Sequence, residues 1–226
     1  MAQVTDRWRA ARMMSALYNT VATHDSVATV GAKALWGLTL QQILQDVDRV
    51  ADAPAGAHVL DIPCGGGFAF RGLRPGQDCR YVAADISSDM LKRARSRATR
   101  LGVADLMEFT EADVTDLPFQ DNTFDLALTF NGLHCLPDPR AAVVELARVI
   151  KPGGILRGST CVRGCGWRQD RFVTASQAAG IFGNTPQTGD VQRWLNEAGL
   201  QVVVAGRSGS VELFEACKSG LRHPAN

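Results

Sequence analysis

The sequence predicts an α/β domain built on a doubly wound, largely parallel sheet, and three observations carry that expectation. From His58 onward, short β-rich runs alternate with helix-like stretches, the rhythm of repeated βαβ units. The clearest runs are nearly continuous in apolar residues, as strands covered on both faces must be. A glycine-rich turn follows the first run, at the place where such sheets receive ligands.

The elements follow in order. Residues 3 to 52 carry apolar positions at helical spacing, broken at His24-Asp25, with Asp25 placed to cap a second helix. They are expected to form an N-terminal helical cap over residues 1–53, and Pro54-Ala55-Gly56 then opens a core over residues 54–226. Five parallel strands are expected: HVLDI at 58–62, RYVAADI at 80–86, LMEFTEA at 106–112, FDLALTF at 124–130 and GILRGSTCV at 154–162. Between them a helix from Ser88 to Leu101 is closed by Gly102, and another over 139–150 is opened by Asp138 with Pro139 in its first turn. After residue 163 the sequence reads as a loop-rich stretch, then a helix over 190–198. Two final strands, LQVVVAG and SVELFEA, are separated only by Arg207, Ser208 and Gly209, which implies an antiparallel hairpin. No second domain boundary is visible.

Composition narrows the function. The 226 residues suit one core, and 24 Lys and Arg against 23 Asp and Glu leave a net charge of +1, without the cationic field of a nucleic-acid binder. A small-molecule partner is expected. No apolar run approaches the length of a membrane-spanning helix, and the start, MAQVTDRWRAARMM, lacks the apolar stretch of a signal peptide. The cytoplasm is therefore the expected compartment. Six cysteines include no C-x-x-C pair, and Cys161 and Cys165 have no second pair beside them, so reduced thiols and no metal are expected.

The chemistry is expected in the loop after the first strand, Asp61-Ile62-Pro63-Cys64-Gly65-Gly66-Gly67. Glycines there permit positive φ and close approach of a ligand, and a following helix N-terminus would offer free N–H groups to an anionic group; a tight turn without ligand is the plainer alternative. A dinucleotide fingerprint beginning at Gly65 needs glycine at position 70, where Phe70 stands, so a nicotinamide cofactor is disfavoured. Asp85 ends the second strand, eighteen residues beyond Gly67, where an acid can bond both hydroxyls of a ribose; taken alone it reads as a cap beside Ser87 and Ser88. Asp113 follows the third strand, placed to accept from an exocyclic amine or to serve as an ordinary loop acid.

Together, VLDIPCGGG, AADIS, EADVTDLPFQDNTFDLAL and NGLHCLPDPRAAVVELARVIKPGGIL resemble the ordered motifs of class I S-adenosylmethionine-dependent methyltransferases, over residues 54 to 217. The nearest branch is the ubiquinone/menaquinone-biosynthesis type, methyltransferase type 11. The resemblance implies a Rossmann-like sheet of seven strands in the order 3-2-1-4-5-7-6, the last antiparallel, and S-adenosyl-L-methionine as cofactor. It implies that the Gly65, Gly66 and Gly67 loop, with Asp61 and Cys64 beside it, holds the methionine part, Asp85 the ribose and Asp113 the adenine amine. Ile86 and Val114 would flank the adenine, and Asn131 would line the methionine side. Pro63 departs from the glycine usual in the family and removes an N–H.

His134 stands just past the fourth strand, where this branch often places histidine. It is a candidate general base toward the acceptor, against the alternative of a packing residue. Cys64, Cys135, Cys161 and Cys165 follow strands one, four and five and are expected near the methyl, either as small buried residues or in a thiol or metalloid role similar to that of arsenite methyltransferases. Arg163, Trp167, Arg168, Arg171 and Phe172 suit an anionic aromatic acceptor or a solvated lid, and Tyr18 and Trp36 of the cap would close over it. The expected activity is methyl transfer to a small-molecule acceptor by alignment. Its rivals are a cofactor-binding protein that does not methylate and a nicotinamide-dependent oxidoreductase.

Overall fold

The structure, a computed structural model, describes residues 40–220. Asp25, Tyr18, Trp36 and most of the expected cap lie outside the described residues. Within them, α1 (Leu40–Asp48) and a 3-10 turn (Arg49–Asp52) lead into β1 (Ala57–Asp61). There follow β2 (Cys79–Asp85), α2 (Ser88–Leu101), β3 (Met107–Glu111), β4 (Phe124–Phe130) and α3 (Pro139–Val149). The chain continues through β5 (Ile150–Cys161), α4 (Trp167–Ala178), α5 (Asp190–Glu197), β6 (Leu200–Ser208) and β7 (Val211–Lys218). The seven strands form one sheet in the order β3-β2-β1-β4-β5-β7-β6, with β7 antiparallel to both of its neighbours. This is the order that the resemblance implied.

The helices form where capping and apolar spacing agree. Ser87 accepts from the Met90 N–H at the start of α2, and Gly102, at φ 70°, closes it. Met90, Leu91, Ala94 and Ala98 make its buried stripe. Asp138 accepts from the Ala141 N–H to open α3, with Pro139 in the first turn. The other end of α3 is capped from a distance: the Lys218 ammonium donates to the carbonyls of Ala147 and Ile150, each at 2.7 Å.

Alternation along the strands divides the core between the two faces of the sheet. Val59, Tyr81 and Leu128 join Val47 of α1 and Leu91 and Ala94 of α2 on one face. Leu60, Val82 and Ala127 join Val143 and Leu146 of α3 and Leu195 of α5 on the other. Among the described residues no helix is long and apolar enough to cross a membrane.

Three segments differ from expectation. The glycine loop does not open an α-helix: a five-residue 3-10 helix, Phe68–Gly72, follows it, and Pro75-Gly76 turns the chain directly toward β2. The face left open is filled by α1, whose Val47 carbonyl lies 2.1 Å from where a side chain on Gly72 would begin; only glycine permits that approach. The supposedly loop-rich stretch after residue 163 contains the twelve-residue α4. Its sequence lacks an apolar stripe, and only Val173 and Ser176 are buried, with Trp167 72% exposed, so periodicity could not reveal it. β5 also begins at Ile150, four residues before its expected start, through an irregular pairing beside Phe124.

Candidate active site

A cavity opens at the carboxyl ends of β1, β2 and β4, with about 670 Å³ of space continuous with solvent. The loop after β1 supplies Pro63, Cys64 and Gly65, the end of β2 supplies Asp85 and Ile86, and Met90 comes from α2. Phe130, Asn131, Gly132, Cys135 and Leu136 complete the opposite wall. Apart from the Asp85 carboxyl, the Asn131 amide and two thiols, these side chains are apolar.

Asp85 is held from two sides. Its Oδ2 accepts from the Gly65 N–H at 2.8 Å and its Oδ1 from the Ser87 N–H at 2.9 Å. The first bond requires the β1 loop to turn back on β2, which Gly65 achieves at φ 53°, a conformation costly to residues with a Cβ. Burial pushes the Asp85 carboxyl up to about 6, against the lowering effect of the two N–H donors. Both oxygens retain lone pairs, so two further hydroxyl donors fit the same group.

Asp61 lies deeper, 2% exposed, outside the cavity lining. It accepts from the Tyr81 hydroxyl at 2.9 Å, and burial pushes it up to about 8, opposed by that hydroxyl and aided by nearby Asp85. It supports the loop from below. Of the three glycines only Gly65 lines the cavity, and Gly67, at φ 85°, caps the short 3-10 helix. Without an α-helix there, the anion-binding helix N-terminus anticipated after the loop is not present. Pro63, joined to Ile62 by a cis peptide, packs its ring against Gly132 and so ties the β1 loop to the β4 loop.

Asn131, at φ 55°, donates its N–H to the Ser159 carbonyl at 2.7 Å and takes the Ser159 hydroxyl on its side-chain oxygen. It lines the cavity. Asp113 and Val114 do not line it: the Asp113 carboxylate accepts from the N–H and hydroxyl of Thr115, and Val114 packs in the core on the α3 face.

His134 also stands outside the cavity lining, 1% exposed. Its Nδ1 accepts from the Cys161 N–H at 3.2 Å and lies 3.2 Å from the Thr160 hydroxyl; with Nδ1 accepting, the neutral ring carries its hydrogen on Nε2, which has no partner among the described residues. Burial lowers the imidazole to about 3, and the ring meets Phe182 edge-on at 4.5 Å. The four thiols separate: Cys64 and Cys135 line the cavity, whereas Cys161 packs with Val173 and Phe182 and Cys165 contacts Thr188 and Arg207. Burial raises Cys64 and Cys135 far above the ordinary thiol range, so both remain protonated.

The sequence reading missed Met90, Phe130 and Leu136 as cavity walls. Met90 had a signal, since it stands three residues after the Ser87 cap and must face the sheet. The other two carry none beyond their hydrophobicity.

Residues 60–157 match the family model described as a methyltransferase domain, a span that includes the glycine loop, Asp85 and the β4 wall. Over that span, somewhat under half of its length, the chain is similar to the methyltransferase domain family. The demethylmenaquinone methyltransferase of Clavibacter sepedonicus is 34% identical over 145 residues, covering 62% of this chain and 55% of that protein. The chain therefore spans about half the length of that relative.

Among solved structures, a putative methyltransferase from Bacillus halodurans matches with TM-score 0.67 at 20% identity, over 79% of this chain and 99% of that one. The [4+2]-cyclase SpnF matches with TM-score 0.64 at 19% identity, over 76% and 81%. At such identities the likeness establishes the fold alone, and the two names together illustrate that fold does not dictate reaction.

S-adenosyl-L-methionine is the cofactor that the similarity to methyltransferases implies, and the residues present fit it. Asp85 offers a fixed carboxylate for a ribose, and Ile86 and Met90 offer apolar surface beside it. A Cβ on Gly65 would meet no atom of the described residues within 4 Å, which leaves room for a ligand beside it.

Proposed function

We propose that this protein transfers a methyl group from S-adenosyl-L-methionine to a small-molecule acceptor, and that it acts chiefly by alignment. The observation that carries the reading is the Asp85 carboxylate, locked by the Gly65 and Ser87 N–H groups on the wall of the cavity. When bound, the cofactor supplies an activated methyl on a sulfonium, so the protein's task is to orient and to exclude water. Asp85 would hold the ribose hydroxyls, Gly65 and Cys64 would border the methionine portion, and Asn131 would close that side. Phe130, Leu136 and Cys135 offer an apolar wall to the acceptor. That wall suits a ring-bearing apolar molecule, and the relative named for demethylmenaquinone supports such an acceptor.

Proton removal by His134 is the role its position after β4 suggests. Its enclosed ring and occupied Nδ1 support a different one, argued below. Calorimetry with S-adenosyl-L-methionine, its demethylated product and NADH tests the cofactor, with binding of the first two and none of the third expected. Tritium transfer from labelled cofactor to a panel of quinols and phenols then tests the reaction. Tight cofactor binding with no transfer to any acceptor would favour a protein that uses the cofactor without methylating. NADH binding alone would overturn the reading.

A further inference from the structure

We propose that His134 is a positioning residue, a latch that ties the β4 wall of the cofactor cavity to the end of β5 and to the segment after α4. This deepens the proposed function and rests on that cavity being the cofactor site.

The latch uses nearly every polar atom the residue has. Its backbone N–H donates to the Thr160 hydroxyl at 3.1 Å, and its Nδ1 accepts from the Cys161 N–H, so the residue is pinned twice to β5. Its carbonyl accepts from the Gly183 N–H at 3.0 Å, and two residues on, the Leu136 carbonyl accepts from the Asn184 N–H at 2.7 Å. The ring edge closes the arrangement against Phe182, which packs with Cys161 and Val173 of α4. Cys135 and Leu136, the residues that follow His134, are cavity wall, and Asn131 lies three residues before it. Displacing the ring would therefore release the wall and the α4 segment together.

The same contacts explain why the ring does not serve as a base. A base must present a free lone pair to the acceptor's proton, and the only neutral lone pair of this imidazole is occupied by a backbone N–H. Protonating the ring would set two like donors, Nδ1–H and the Cys161 N–H, against each other inside a buried cluster. The lowered imidazole pKa, caused by burial, accords with that geometry.

The test compares His134→Asn, whose amide oxygen can take the Cys161 N–H, with His134→Phe, which fills the space without an acceptor. We expect the Asn variant to keep cofactor affinity and kcat within about threefold, and the Phe variant to weaken cofactor binding roughly tenfold, the scale of one lost buried hydrogen bond. Neither variant should shift the acidic limb of kcat against pH. In amide hydrogen exchange, the Cys161 and Gly183 N–H groups should exchange faster in the Phe variant and near the parent rate in the Asn variant.

Unchanged exchange in His134→Phe would overturn the latch. An Asn variant with intact cofactor affinity but kcat reduced ~100-fold, recovered with an acceptor already ionised, would make His134 a general base instead. If the parent protein does not bind the cofactor at all, the proposed function fails while the exchange measurement still decides whether the latch exists.

Discussion

Asp85 on β2 and His134 beyond β4 are both polar residues at strand ends, both almost fully buried, and both bound to backbone N–H groups. Only Asp85 reaches the cavity. A carboxylate has two oxygens with about four acceptor positions, so two N–H donors orient it without exhausting it. A neutral imidazole has one acceptor, and once a backbone N–H takes it the ring can only pack or donate. The same degree of burial thus leaves one residue able to receive a ligand and commits the other to the frame.

The sharpest way to break that comparison is to fill the space in front of Asp85. Gly65→Val should reduce cofactor affinity more than 100-fold, since a Cβ there meets no atom of the described residues and the side chain would occupy ligand space. The positive φ adds about 1–2 kcal/mol of strain. Calorimetry together with a melting curve checks this, and retained binding would mean that the loop is only a turn.

Next in size, Asp85→Ala should weaken binding by about 1.5–3 kcal/mol, the scale for hydrogen bonds to a charged group. Unchanged affinity in a folded variant would remove the ribose assignment.

The two carboxyls also predict a pH signature of the ligand-free protein. Asp85 and Asp61 are raised to about 6 and about 8, above their unfolded values near ~3.9. Between the unfolded and folded values the native state binds the extra proton, so each group's contribution to stability falls as pH rises, across ~3.9 to 6 for Asp85 and on to about 8 for Asp61. Melting curves of the parent and Asp85→Asn should therefore converge or cross in favour of the variant as pH rises from 4 to 6. Cofactor affinity should rise over the same window as the carboxylate ionises. A parent and variant that differ equally at pH 4 and 7 would contradict the buried-carboxyl description.

The smallest effect on the site is expected at Lys218, whose ammonium holds the end of α3 far from the cavity lining. Lys218→Met should lower the melting temperature by a few degrees, for about 1–2 kcal/mol, and leave cofactor affinity unchanged. A change in affinity would show that the α3 end and the cavity are coupled.

Much of this was legible in the residues. The strand runs, the caps at Ser87 and Asp138, the Gly102 stop and the hairpin after Gly206 depend on local chemistry, and local chemistry is written in adjacent residues. Asp85 and the Gly65 turn were legible as a pair because a doubly wound sheet leaves few places for an acid and a glycine loop to meet.

The remainder depended on contacts between residues far apart in the chain. The missing helix after the glycine loop is compensated by α1, through a close approach of Val47 to Gly72, and α4 shows no stripe because it packs through little more than Val173 and Ser176. Strand periodicity sets only which face a residue occupies, so it could not decide whether His134, Asp113 or Asp61 would line the cavity or support it. The Cys161 N–H, the Thr115 turn and the Tyr81 hydroxyl decided those three cases. In each, the side chain had to satisfy a buried polar group before it could offer anything to a ligand.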